Sequence, residues 1–317
     1  VVATATLFGG GIWFNRQLSR ELVQTDQARS ELQIALVRQV AERLDSDLRQ
    51  LAGVPRTLAV MLAERSDWTE TQLDACLREL IDRDPRLFGM CIAFEPGQFD
   101  PQREDYARYI CRAPTGPEGS PAGPNSRVDA AAIVQSQVVF KYLHPPEYRP
   151  YREWDWYRLP KQDGQPHWSE PYVDTGGGEI PMVTYSAPFE RNDRFVGVVT
   201  ADLSLAYFRQ LKGWPNELEL AKGDYGFVIS RAGTFISHQN SEYQMRRNIA
   251  DFATPDSDLG FQTLLELIRR QEPGRVHGID FWTGDPRTFL VAPVPSSGWS
   301  FVAVIPEPAE RGNFSVP

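Results

Sequence analysis

Residues 151–174, YREWDWYRLPKQDGQPHWSEPYVD, set Trp154, Trp156 and Trp168, together with Tyr151, Tyr157 and Tyr172, among basic and carboxylate side chains within 24 positions. The faces of such rings attract a cation by roughly 0.5 to 2 kcal/mol, depending on how far it is desolvated. A carboxylate beside them adds a charge-assisted hydrogen bond to an ammonium. The stretch therefore has two readings: a core rich in indoles, or a cage for a small charged ligand. Large aromatics in sheet proteins usually serve as core, and Trp156 and Trp168 fit that use as well.

Other chemistries find few of the residues they need. There is no G-x-S-x-G, no H-E-x-x-H and no G-x-G-x-x-G after a strand-like run, so nucleophilic hydrolysis, zinc proteolysis and dinucleotide binding lack their motifs. Gly176 to Gly178 are not followed by the Lys-Ser/Thr of a phosphate cradle and suit a hairpin turn between PYVD and IPMVTYS. Cys76, Cys91 and Cys111 and the four scattered His form neither a C-x-x-C nor a Cys/His cluster, so neither a structural zinc nor any cofactor is expected. Cys91 and Cys111 lie in two strand-like runs that a hairpin would set roughly opposite each other. Two buried thiols are the expected outcome and a disulfide the alternative. Asp174 and Asp202 as paired carboxylates, with Trp154 and Trp168 lining a sugar groove, leave one rival class: a secreted carbohydrate-binding or glycoside-hydrolysing protein.

Charge and composition narrow the partners. The 33 basic and 42 acidic residues give a net charge of -9 with no long basic run, which argues against nucleic acid. At 317 residues, 41% hydrophobic and 24% charged, the chain buries a real core.

Hydrophobic periodicity supplies the elements that must position the aromatic stretch. Residues 1–15, VVATATLFGGGIWFN, carry no charge before Arg16 and fall short of the ~20 residues of a spanning helix. They read as the outer end of a truncated transmembrane segment, with an ordinary apolar first helix as the alternative. From Arg16 to about Ala63, Leu18 and Leu22, then Leu32, Leu36, Val40, Leu44 and Leu48, mark one long amphipathic helix. At ~1.5 Å per residue it reaches on the order of 60 to 70 Å, a stalk or spine, with Pro55 as a place for a kink. Thr69 and Gln72 have the spacing of a capping box for a second helix whose stripe is Leu73, Cys76, Leu77, Leu80 and Ile81. The helical part thus covers 16–84.

After Pro85 the texture becomes β-rich. LFGMCIAFE, ARYICRA, VVFKYL, EIPMVTYSAPF and RFVGVVTADLSL are parted by turn residues, with an exposed Gly- and Pro-rich loop from Pro114 to Asn125. AYFRQLKGW begins as helix and marks a boundary. GDYGFVISRAGTFISHQ then gives two strands around a turn at Arg231 to Gly233, FQTLLELIRRQ a helix, and GRVHGIDFW, RTFLVAPVP and WSFVAVIPE the rest of a second sheet. The expected class is α+β: a long N-terminal helix followed by two modules, 85–210 and 211–317, each an antiparallel sheet flanked by helices.

Three segments in this order, WYRLPKQDGQPHWSEPYVDTGGGEIPMVTYSAPFERNDRFVGVVTADLSL, GDYGFVISRAGTFISHQ and GWSFVAVIPE, resemble double Cache domains, the tandem PAS-like extracytoplasmic sensors of bacterial transmembrane receptors. The resemblance covers nearly the whole chain. It implies a membrane-distal module, 85–210, that holds a small-molecule ligand, and a membrane-proximal one, 211–317. It further implies a receptor anchored in the inner membrane with this region in the periplasm. No catalysis is expected in these residues; a histidine kinase, chemoreceptor, nucleotide cyclase or serine phosphatase output would lie outside them.

In the amino-acid-binding members of that family a Trp-Tyr pair, a Tyr-x-Asp and an Asp ending the last strand surround the ligand's ammonium; here these positions hold Trp156, Tyr157, Tyr172, Asp174 and Asp202. Asp202 has the alternative use of capping the following helix. The family's Arg two residues before the Trp-Tyr pair, which takes the ligand's carboxylate, is replaced by Trp154, and Arg152 lies two places further back. Arg152 would reach the pocket only if that strand bulged. An amine or quaternary ammonium ligand is therefore favoured, with amino acids and other small carboxylates as alternatives. His238, where the family often has His-Pro, is read as structural. Ligand would close the loops Pro145 to Asp155 and Pro166 to Asp174 and shift the sheet against the spine helix. The apolar stripe of that helix suits a parallel homodimer, although packing against the protein's own modules would use the same face.

Overall fold

The computed structural model describes the backbone of residues 2–113, 137–143, 149–210, 223–253 and 259–306, and side chains within these spans from residue 30 on, apart from 209 and 210. The expected loop from Pro114 to Asn125, the Pro145 end of the closing loop and the side chains of Leu18 and Leu22 lie outside the described residues.

Helix α1, Val2–Glu64, is longer than the periodicity predicts and runs unbroken through Pro55. Among the described residues no helix is long and apolar enough to cross a membrane. Helix α2, Glu70–Arg83, begins at the predicted capping box, with Thr69 and Gln72 exchanging side-chain and backbone bonds, and buries Leu73, Leu77 and Ile81. Two arginines of the second strand hold α2 to the first sheet. Arg108 forms a bidentate pair with Asp74 at 2.6 Å for both bonds, and Arg112 donates to the carbonyl oxygens of Ile81, in the last turn of α2, and of Leu87, beyond its end.

The first sheet contains β1 (Gly89–Phe94), β2 (Tyr106–Ala113), β3 (Gln137–Tyr142), β4 (His167–Trp168), β5 (Tyr172–Val173), β6 (Pro181–Arg191) and β7 (Arg194–Ser204) in the order β3-β2-β1-β7-β6-β4, with β5 also on β6. The second contains β8 (Tyr225–Ile229), β9 (Phe235–Ser237), β10 (Gly274–Ile279), β11 (Pro286–Val294) and β12 (Trp299–Pro306) in the order β10-β11-β12-β8-β9. All pairings are antiparallel. Helix α3 (Asp155–Asp163) packs on the first sheet, α4 (Leu205–Gln210) touches both sheets, and α5 (Leu259–Arg270) packs on the second.

Because side chains alternate along a strand, each sheet has two buried faces. Met90, Ile92 and Phe94 of β1 and Val199, Ala201 and Leu203 of β7 join Val40, Leu44, Leu48 and Leu51 of α1. Leu290, Ala292, Phe301 and Ala303 of the second sheet enter the same cluster. The α1 stripe thus packs on both sheets of its own chain. Polar tethers fix the register: Asp47 accepts the Tyr207 hydroxyl at 2.9 Å, and Asp45 the Ser296 amide at 2.7 Å. The opposite face of the second sheet is an aromatic core around Phe227, Phe235 and Phe289 under α5. His238 is buried there among Tyr225, Tyr243 and Trp282, as a structural histidine would be. The opposite face of the first sheet carries the site.

Candidate ligand site

The face of the first sheet turned away from α1 combines Cys91, Ala93, Tyr109, Cys111 and Val198 with Tyr151, Trp156 and Tyr157. Into this cluster runs a polar row, Thr184 on β6 and Thr200 and Asp202 on β7, all buried. Asp202 sits between Gly89 of β1 and Thr184 of β6 in the ladder. The Thr184 hydroxyl donates to Asp202 Oδ1 at 2.8 Å, and Tyr172 Oη lies 2.8 Å from Thr184 Oγ1. A hydroxyl has one proton, so Tyr172 donates to Thr184 and the chain ends on the carboxylate. Asp202 is therefore a sheet residue; the following helix is capped instead by Ser204, whose Oγ accepts the Ala206 amide at 3.1 Å.

Gly89 makes the room. A Cβ there would lie 2.5 Å from Tyr109 Oη and 2.8 Å from Asp202 Oδ2, so the missing side chain lets tyrosine and carboxylate meet. Asp174 arrives from the other side on the predicted hairpin turn between β5 and β6. Its carboxylate accepts the Gly178 amide at 2.6 Å, and its carbonyl accepts the amides of Gly177 and Glu179. Gly176 takes a φ of 87° and Glu179 one of 61° to close the turn. A Cβ on Gly177 would strike Asp174 Oδ2, and one on Gly178 would meet Phe88, Met182 and Tyr109 Oη. Lys141 of β3 donates its ammonium to the Gly177 carbonyl and holds the turn down.

Asp174 and Asp202 are 2% and 3% exposed, and the charge of the first acts on the second. Burial, and then the charge of Asp174, push the Asp202 carboxyl up to about 7, against the opposing hydrogen bonds of Thr184 and Tyr109. The nearby thiols register the same field. Cys111 is pushed up to about 12 by burial, with Lys141 pulling it down and Asp174 and Asp202 raising it. Cys91 is raised by burial and by the two carboxylates. Both thiols are free and buried, and Cys111 faces Gly89 in the ladder while Cys91 faces Tyr109.

The aromatic stretch departs from the extended conformation that its register reading requires. Tyr151–Glu153 is one turn of 3-10 helix, and Trp156 and Tyr157 lie in the first turn of α3, with Trp154 at its N-cap. Trp154 packs on Tyr172 with ring centroids 5.4 Å apart. The structure thus links Trp154, Tyr172, Asp174 and Asp202 on one side of the cluster. Tyr157 instead donates to Glu95 at 2.5 Å, and Trp156 stacks on Tyr151, whose hydroxyl donates to the Phe94 carbonyl at 2.6 Å. Glu95 follows the end of β1 opposite to Gly89, ~20 Å along the strand at ~3.3 Å per residue. Arg152 is ion-paired with Asp105 at 2.9 Å and Glu104 at 3.6 Å. Trp168 packs on Tyr185 and Trp299 within the α1-side core, which is the core use foreseen for it.

Sequence reasoning missed Tyr109, Thr184, Lys141 and Gly89. The signal was present in the alternation: Thr184 and Ser186 on β6 and Thr200 and Asp202 on β7 put polar residues at alternate positions, on one face of otherwise mostly apolar strands. Cavities of about 490 and 480 Å³ lie elsewhere, one between α1 and the β10–β11 ribbon, lined by Val37, Arg38 and Leu290, the other beside Arg56, Ala59 and Pro188. Neither includes the carboxylate pair.

Residues 73–210 match the family model of the methyl-accepting chemotaxis protein-like, first PDC sensor domain. Over 190 residues, 55% of this chain and 25% of the relative, the sequence is 24% identical to the methyl-accepting chemotaxis protein TlpQ of Pseudomonas aeruginosa. The chain therefore spans about a quarter of that relative. Its fold is similar to the extracellular domain of a protein assigned as the histidine kinase mmHK1S-Z2, with a TM-score of 0.69, 22% identity, and 88% of this chain and 97% of that one covered. It is also similar to the ligand-binding domain of the Pseudomonas aeruginosa amino acid chemoreceptor PctB, solved in complex with L-Arg, with a TM-score of 0.55, 16% identity and 86% of each chain covered. Residues 73–210 thus match a PDC sensor-domain model, and the two-sheet fold on a long helix is similar to that of these solved structures, in line with the resemblance to double Cache domains.

Proposed function

We propose that this chain is the extracytoplasmic sensor region of a bacterial signal-transduction receptor and that its first sheet binds a small ammonium compound, an amine or quaternary ammonium ion being favoured. One observation carries the reading: Asp174 and Asp202 are buried together beside Tyr109, Tyr172 and Trp154. A concentrated buried negative charge is costly, and a bound cation offsets that cost while the rings complete its shell.

A free amino acid would also need a partner for its carboxylate. Trp154 occupies the position of the family's arginine, and the guanidinium of Arg152 is engaged by Asp105 and Glu104. Amino acids remain the second reading, because PctB, a structural relative, was solved with L-Arg. A carbohydrate-active protein has less support: the family match is to a sensor domain, and both carboxylates are closed off from a surface groove.

The rest of the assignment follows the receptor plan. Residues 1–15 are the outer end of a membrane segment, 16–84 the spine and second helix, 85–210 the membrane-distal ligand module and 211–317 the proximal module. The region stands in the periplasm, anchored to the inner membrane, and signals to an output domain outside this chain. A homodimer through α1 would use the surface its own sheets leave open, where Leu32 is 59% exposed.

A thermal-shift screen against amines, quaternary ammonium compounds, amino acids, small carboxylates and sugars tests the reading. A ligand at 100 times its Kd adds ~2.7 kcal/mol of stability. Hits confined to amines and lost in Asp174→Ala support it. Hits confined to carboxylates or sugars overturn it.

A further inference from the structure

The second sheet carries an arginine without a counter-ion. Arg275 of β10 lies opposite Leu290 of β11 in the ladder, and Leu290 belongs to the core shared with α1. Cross-strand neighbours point to the same face of a sheet, so the Arg275 side chain also runs towards the spine helix. There its guanidinium donates to the Ser30 hydroxyl of α1. Its Nε is buried and meets no acceptor, and among the described residues no carboxylate pairs with it. One neutral hydroxyl does not satisfy a cation with several donors, and a buried donor left unpaired is costly.

The same side chain lines the cleft of about 490 Å³ between α1 and the β10–β11 ribbon, a size usual for small-molecule sites. Ile34, Val37, Leu290 and Pro293 give the cleft apolar walls, and Arg38 adds a second cation that forms no ion pair among the described residues. The acids of the cleft sit further along α1. Asp45 is held by Arg49 and the Ser296 amide, and Glu42 lies ~18 Å from Ser30 along the axis at ~1.5 Å per residue. We propose that this cleft is a second ligand site, separate from the carboxylate pair of the first sheet, and that it takes a small monocarboxylate with an apolar tail. The carboxylate accepts from Arg275 Nε and neutralises the guanidinium, while the tail lies against Ile34, Val37 and Leu290. Such a ligand touches the spine helix and the second sheet at once.

The test is calorimetric titration of the intact chain with hexanoate and with hexanamide, its uncharged counterpart, in the wild type, Arg275→Gln and Ile34→Trp. The wild type is expected to bind hexanoate at least about tenfold more tightly than hexanamide. Arg275→Gln should remove that preference, and Ile34→Trp, which fills the cleft and keeps the guanidinium, should weaken hexanoate by at least about tenfold. Should Arg275→Gln fail to fold, the comparison of hexanoate with hexanamide and the Ile34→Trp variant still decide. A wild type that does not bind hexanoate, or binds hexanamide as tightly, overturns the inference, as does hexanoate affinity that survives in both variants. Self-association in sedimentation that Arg275→Gln weakens, with no hexanoate binding, would give the cleft to a second copy of the chain and overturn it too. None of these outcomes bears on the ammonium reading of the first sheet.

Discussion

Glu170, between the two short strands that carry Trp168 and Tyr172, accepts the Ser230 hydroxyl of the second sheet at 2.5 Å. Its other oxygen accepts the Ala232 amide at 3.2 Å. Next to it, Ser169 exchanges hydrogen bonds with Thr184, the residue that bonds Asp202. Trp168 packs on Trp299 of the second sheet at 5.5 Å. The segment that brings Tyr172 and Asp174 to the site thus also touches the second sheet. A ligand that shifts this segment shifts the contact, to the extent that it binds one arrangement better than the other.

Glu170→Ala and Ser230→Ala test the contact as a pair. A half-buried hydrogen bond to a carboxylate contributes about 1 to 2 kcal/mol, so each variant should lose about that much in urea denaturation. The double variant should lose clearly less than the sum, since both remove the same bond. Additive losses would mean that the two residues act independently.

The raised carboxyl of Asp202 gives a pH dependence of defined sign. Its folded value, about 7, lies above the ~3.9 of an unfolded aspartate. Between these values the folded state holds more protons, so stability falls as pH rises. The contribution is fully present below about pH 4 and lost as pH passes 7, with a magnitude on the order of a few kcal/mol. Asp202→Asn is expected to abolish this slope in denaturation midpoints measured from pH 5 to 8. A wild-type slope that survives in the variant would assign the titration to another group.

Binding of a cation should run the opposite way. An ammonium favours the ionised pair, so affinity should rise as pH increases through about 7 and level off above it. Calorimetric titration of a bound amine across this range reads the effect directly, and Asp202→Asn should flatten it.

Gly89→Ala places a methyl group 2.5 Å from Tyr109 Oη and 2.8 Å from Asp202 Oδ2. Overpacking of this kind costs about 1 to 3 kcal/mol, and it separates the tyrosine from the carboxylate. The variant should melt earlier than the wild type and bind amines more weakly. Arg152→Ala is the contrasting control. It removes partly exposed pairs with Asp105 and Glu104, worth about 0 to 1 kcal/mol, and should leave amine affinity unchanged in the same titration.

Much of this architecture is legible in the sequence because it rests on periodicity. The capping box at Thr69, the amphipathic stripe of α1 and the apolar strands from Gly89 to Pro306 announce themselves locally. The aromatic stretch does not. Trp154 to Tyr157 has no helical stripe long enough to stand out, and only packing against Phe94, Glu95 and Phe195 from distant strands makes it helical. Asp174 and Asp202 could be named from motif order. Their partners could not, since Tyr109, Lys141 and Gly89 reach the site through strand register, a non-local property.

The most direct test of the account is titration calorimetry of the ammonium compound found by screening, with the wild type, Asp174→Asn and Asp202→Asn compared at about pH 8. The account predicts binding in the wild type and a loss of at least about tenfold in affinity for each variant, because each removes one of the two carboxylates that attract the ammonium. Undiminished affinity in both variants would contradict it and return the carboxylate pair to a purely structural role.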